Sequence, residues 1–222
     1  MHTSKSPKPS TTTPTIGTGN TTGSELSPFA NQIRADHQLF YTLREFYFSS
    51  ELSTNPVRRQ AVLLQLLWEI SRHILAEHIL VHPWYIKAVG EEMGGKLKAF
   101  DIADHQTVKA EIVHLLDLHS NPGNLEFDRG VEKIIGSLRR HNDSEEESDI
   151  PTLVSKMSPS DNIVLASGLE KSKEFFIPER FHRGDGTTIT MPALRAALTV
   201  PDEVLRSEFL RYLGLQDSPA YN

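Results

Sequence analysis

One set of residues occurs twice in this chain at a fixed separation. An offset of 68 residues carries His37 to His105, His73 to His141 and Glu77 to Glu145. The same offset carries Asp36 to Asp104, Pro83 to Pro151, Leu63 to Val131, Leu66 to Ile134 and Leu67 to Ile135. A repeat of this length, polar and apolar positions together, reads as two copies of one helical hairpin. The repeated polar residues are four imidazoles and two carboxylates. These donor types suit iron, manganese or zinc. The repeat therefore predicts two metals inside an all-α, up-down-up-down four-helix bundle.

The placement of the ligand types within each helix supports this. Residues four apart share one helix face. Leu63, Leu66, Ile70, His73, Glu77 and Leu80 follow one another at spacings of 3, 4, 3, 4 and 3. Val131, Ile134, Leu138, His141 and Glu145 repeat that rhythm. Both His–Glu pairs thus lie on the apolar stripe that faces a partner helix. His37, between Ile33 and Phe40, and His105, between Asp101 or Ile102 and Val108, belong to the same kind of face. Six ionisable groups in one core layer are costly unless paired, since an unpaired buried charge costs several kcal/mol or is forced neutral. Two cations remove that cost, and bundles build metal sites from inward side chains on facing helices.

The rest of the chain frames this core. Residues 1–27 are rich in Ser, Thr, Pro and Gly and predict a disordered tail. They carry no apolar run of a secretory signal. Helical segments are predicted at about 28–50, 56–89, 96–119 and 125–147, with Gly94–Gly95 and the SNPGN turn as separators and Pro151 as the final stop. Residues 156–222 read as a partly helical C-terminal extension, with helices near 160–177 and 201–213, a loop at 178–188 and no metal ligands. The domain plan is therefore a tail at 1–27, a bundle at 28–155 and an extension at 156–222.

Composition excludes several classes. The 222 residues contain no cysteine, which removes disulfides, thiolate chemistry, zinc fingers and iron–sulfur clusters. The formal net charge is −6 with no basic cluster, so nucleic acid is not an expected partner. No apolar run approaches the length of a transmembrane helix, so no membrane partner is expected. The expected location is cytoplasmic, with the nucleus as the alternative. The sequence names no protein partner.

The stretches ADHQLF, HILAEHILVHP, ADHQTVKAEI and RRHNDSEEESDIP resemble the hemerythrin-like HHE cation-binding domain over about residues 29–155. The resemblance implies a non-haem di-iron centre that binds or senses dioxygen, iron or a related small molecule. His37, His73, Glu77, His105, His141 and Glu145 would be its ligands, with Glu77 and Glu145 bridging. Manganese or zinc could occupy the same donors. Oxygen-carrying hemerythrins have a second His four residues after the one on the third helix, where this chain has Lys109. Four His ligands then leave a coordination position to water, which moves the expectation from oxygen carriage toward redox or peroxide chemistry or metal sensing. The alternatives are a di-iron oxidase or peroxidase and a metal-free helical interaction module.

Other residues carry lesser expectations. Asp36 and Asp104 are candidate acceptors for ligand imidazole N–H groups. Tyr41 and Lys109 are candidate donors beside the metals, or side chains that lean outward. His78 and His82 are expected at the bundle rim. His114 and His119 are expected to be exposed or at a helix end. Trp68 and Trp84 are expected to pack. The last members of the Glu145–Glu147 run are expected in solvent.

Overall fold

A computed structural model describes residues 27–118, 122–181 and 188–221. The expected N-terminal tail, His119 and His182 lie outside the described residues, apart from Ser27 at the tail's end. The described residues are helical, with no strand among them. The principal helices are α1 (Pro28–Tyr47), α2 (Pro56–Leu80), α3 (Glu91–Asp117), α4 (Leu125–Ser144), α5 (Pro159–Phe175), α6 (Met191–Thr199) and α7 (Asp202–Tyr212).

Their starts follow from local chemistry. Ser27, Asn55 and Ser158 each accept a backbone N–H from the first turn of α1, α2 and α5, and Pro follows each cap. Asn124 caps α4 the same way, accepting from Glu126 N at 2.9 Å. The break before α3 falls at Gly90, whose φ of 97° belongs to the left-handed region. Gly94 and Gly95, expected as the separator, lie instead in the first turns of α3. Gly94 has a different task there. A Cβ at that position would stand 2.0 Å from the Tyr85 carbonyl oxygen. Only glycine lets α3 start so close to that backbone.

Pro151 does not stop the fourth helical run. The chain widens into a π-helical turn at Glu145–Asp149 and continues helical through Ile150–Val154. The wide turn is closed by the Ile150 N–H donating to the Glu145 carbonyl. In an α-helix the Pro151 ring would meet the carbonyl four residues back, and the wider turn relieves that clash. A second π turn, Tyr85–Val89, follows Pro83 at the end of the α2 run. Such turns concentrate at functional sites, and one of these begins with Glu145.

Helix α1 packs along α2 and α3 along α4, while α1 also touches α4 and α2 touches α3. Between them lies the predicted apolar stripe. Leu63, Leu66, Ile70, Val131, Ile134 and Leu138 are all buried. The C-terminal section is part of the same core. Helix α5 packs on α1 and α2, and α6 and α7 pack on α2. Among the described residues no helix is long and apolar enough to cross a membrane.

Candidate metal centre

The six residues of the repeat converge on one buried layer. His37, His73, Glu77, His105, His141 and Glu145 are each at most 5% exposed. Glu77 Oε1 lies 3.2 Å from His73 Nε2, and its Oε2 lies 3.3 Å from His105 Nε2. Glu145 Oε2 lies 3.5 Å from His37 Nε2 and 3.9 Å from His141 Nε2. Each glutamate therefore stands between one imidazole of the first half and one of the second.

The atoms facing inward lack partners. Nε2 of all four histidines and both oxygens of Glu77 and Glu145 are buried without a hydrogen bond among the described residues. Buried polar atoms are almost always paired, so eight orphans on one centre point to a partner other than the protein. The outward nitrogens are satisfied. His37 Nδ1 lies 2.6 Å from Glu146, His73 Nδ1 3.3 Å from Asp36, His141 Nδ1 3.4 Å from Asp104 and His105 Nδ1 3.0 Å from His78 Nε2. A proton held at Nδ1 leaves the Nε2 lone pair free toward the centre, the usual arrangement of a metal-binding imidazole.

These supports repeat with the ligands. Asp36 and Asp104 each serve the histidine of the neighbouring helix, His73 and His141, rather than the one that follows them in sequence. Position 78 maps to 146 by the same offset, and both serve the remaining histidines. His78 is thus buried and not at the rim, and Glu146 is engaged with His37 and Arg34. Where the second half offers a carboxylate directly, the first uses His78, whose Nδ1 donates to Asp202 of α7 at 2.7 Å. That tautomer leaves His78 Nε2 to accept from His105 Nδ1–H. The extension contributes at Asp36 too. Lys173 Nζ lies 3.3 Å from Asp36 Oδ1, and Ser172 Oγ accepts from Arg72, which also pairs with Asp36 at 2.9 Å.

The two halves differ at one decisive place. Asp101, the counterpart of Ile33, is buried one turn before His105. Its Oδ1 lies 3.5 Å from His141 Nε2 and its Oδ2 3.4 Å from His105 Nδ1. His82, also buried, donates to Asp101 Oδ2 through a short hydrogen bond. Ligand atoms of Glu77, Asp101, His105 and His141 lie within 4.8 Å of one another, as do those of His37, His73 and Glu145. The third helix thus carries a further buried carboxylate beside the layer, four residues before His105, where the expectation had considered only the position four after it, Lys109. Lys109 is buried, and the charge it faces is Asp202. Tyr41 is half-buried and its hydroxyl accepts from Asn142. His114 is exposed, while Trp68 and Trp84 are buried in the core as expected. The sequence did hold a signal for Asp101, since it shares the i, i+4 spacing with His105.

Electrostatics agree with a cation site. Burial drives the Glu77 and Glu145 carboxyls well above the usual range, and neighbouring carboxylates add to it. Burial pushes His73 down to about 4 and His105 well below its ordinary value. Burial also lowers His37, against an opposing pull from Glu146. Without a cation, Glu77, Glu145, His37, His73 and His105 are all pushed toward their neutral forms. Asp36 and Asp101 behave oppositely. Burial raises each, but His73 and Arg72 around Asp36, and His105 and His82 around Asp101, outweigh it and keep both ionised.

Nitrogen and oxygen donors, orphaned and buried in two adjoining groups, define the site as one suited to metal. The chain is 34% identical over 118 residues to an uncharacterized hemerythrin-like protein of Schizosaccharomyces pombe, a match covering 53% of this chain and 56% of that protein. The likeness to hemerythrin-like proteins is thus shown over about half of the chain, and the chain spans about half the length of that relative. No family model matches the sequence, and no solved structure matches it.

Proposed function

We propose that this chain is a non-haem dinuclear metal protein on an up-down-up-down four-helix bundle of residues 28–155, buttressed by residues 156–222. Two iron ions are its resident cofactor in this reading, and manganese or zinc suits the same donors. His37 and His73 would hold one ion and His105, His141 and Asp101 the other, with Glu77 and Glu145 supplying carboxylate oxygens between the two halves. The observation that carries this is the set of eight buried inward atoms without partners, each imidazole braced from behind. A metal-free helical module would have to keep this layer buried by protonating its carboxyls and pairing them with the imidazoles, at a desolvation cost that a cation removes. Iron so held supplies redox chemistry toward dioxygen or a related small molecule, or registers iron itself by its occupancy. The chain's residues orient the donors and exclude bulk water.

The test is oxygen uptake by the ferrous-loaded protein in a closed cell. Rapid uptake absent from the metal-free protein supports a small-molecule role. No uptake, with metal content that follows free iron across a graded series, favours sensing. No metal retained under any loading condition defeats the reading.

A further inference from the structure

Tyr85 is 1% exposed, yet its hydroxyl has no partner among the described residues. Its neighbour His82 donates to Asp101, so the phenol packs against the Asp101 end of the layer. Its ring lies 6.3 Å from that of His82, centroid to centroid, on the Asp101 side. Its backbone opens the π turn Tyr85–Val89 and abuts Gly94 too closely for any other residue there. The fold thus fixes in place a donor that no group among the described residues uses. Burial and the surrounding carboxylates hold that phenol in its protonated form.

Charge specifies what it could serve. Glu77, Glu145 and Asp101 bring three negative charges to the layer, and the imidazoles bring none as ligands. Two divalent cations bring four positive charges, so these ligands alone leave one positive charge at the centre, and a small anion bound there would be drawn to it. We infer that Tyr85 donates its hydroxyl hydrogen to a small, singly charged anion held at the metal centre, of the class of hydroxide or azide. The inference rests on the two-metal reading above. An anion accepting a fixed donor in a dry site gains a strong, charge-assisted bond. Tyr41, half-buried under Arg139 with its hydroxyl accepting from Asn142, serves as the control.

The experiment is azide titration of the metal-loaded full chain, followed by absorbance, with metal content measured on the same samples. Tyr85→Phe removes one oxygen and should weaken azide binding about tenfold or more, as expected for a lost hydrogen bond to a charged group. Metal content should stay at the wild-type value, and Tyr41→Phe should leave azide affinity unchanged. Equal azide affinity in Tyr85→Phe and wild type overturns the inference while leaving the metal site standing. Lower metal content with unchanged affinity per bound metal also overturns it, because Tyr85 would then steady a carboxylate. A wild-type chain that holds no metal defeats the underlying reading instead. Should Tyr85→Phe not fold, wild type carrying 3-fluorotyrosine, a stronger donor, should bind azide more tightly, and no change would count against the assignment.

Discussion

Replacing Arg72 by Met tests whether the layer behind the ligands carries the weight assigned to it. Arg72 is 2% exposed and spends its guanidinium on Asp36 at 2.9 Å, Glu69 at 2.9 Å and Ser172 at 2.8 Å. Arg72→Met keeps most of the volume and removes the charge. Asp36 is then left buried with Lys173 and His73 as its remaining partners. Breaking a buried ion pair from one side costs about 3–5 kcal/mol, because it strands the other charge. Asp36 also fixes the His73 ring, and losing such support lowers metal affinity by about 10- to 100-fold. Urea denaturation of chelator-treated protein reads the first effect, and competition with a metal indicator reads the second. Asp36 is held well below its usual range, so its stabilisation exists above the unfolded carboxylate pKa and is lost as pH falls below it. The difference between wild type and variant should therefore shrink below about pH 4. Adding Asp36→Asn should restore part of the lost stability by removing the stranded charge. An Arg72→Met protein within about 0.5 kcal/mol of wild type at pH 7, the range of ordinary surface substitutions, refutes this reasoning.

Three further outcomes follow from the same geometry. Glu77 and Glu145 have raised pKa values in the metal-free fold, so metal must displace protons, and affinity should rise with pH with net proton release by calorimetry in buffers of different ionisation heat; pH-independent affinity contradicts this. Glu146→Leu and His78→Ala should each lower metal affinity about 10- to 100-fold, since each removes the brace of one ligand histidine; unchanged affinity in both would show the braces idle. Gly94→Ala should destabilise the fold by well over 1 kcal/mol because its methyl meets the Tyr85 carbonyl, and an unshifted melting curve would show that α3 adjusts freely.

The sequence disclosed the ligand layer because a repeat and a helical period both mark the same six positions. The helix starts were legible for a similar reason, as Ser27, Asn55 and Ser158 each precede a proline. Part of what stayed hidden lies off the stripe. His78 follows Glu77 by one residue and so turns away from the apolar face. It is buried against His82 and His105 and bonded to Asp202 of α7, 124 positions away. Asp101 broke the repeat, standing where the first half has Ile33, and a departure from symmetry carries no signal in a search for symmetry. Pro151 read as a stop because an α-helix cannot absorb it, and the π turn that does is set by the packing of Glu145 into the centre. Tyr85 lay outside the repeated set, its counterpart being Leu153. The extension looked separate because it lacks the repeat, yet Lys173, Ser172 and Asp202 all act on the site's supports.

Elemental analysis of the full chain, purified without chelator, tests the central claim most directly. The account predicts two transition-metal ions per chain, as dinuclear carboxylate–histidine bundles hold. It predicts that His73→Ala and His141→Ala each lose metal, from opposite halves, while Tyr41→Phe does not. Wild-type protein free of metal after loading with iron, manganese and zinc in turn, or undiminished metal in both histidine variants, would contradict it.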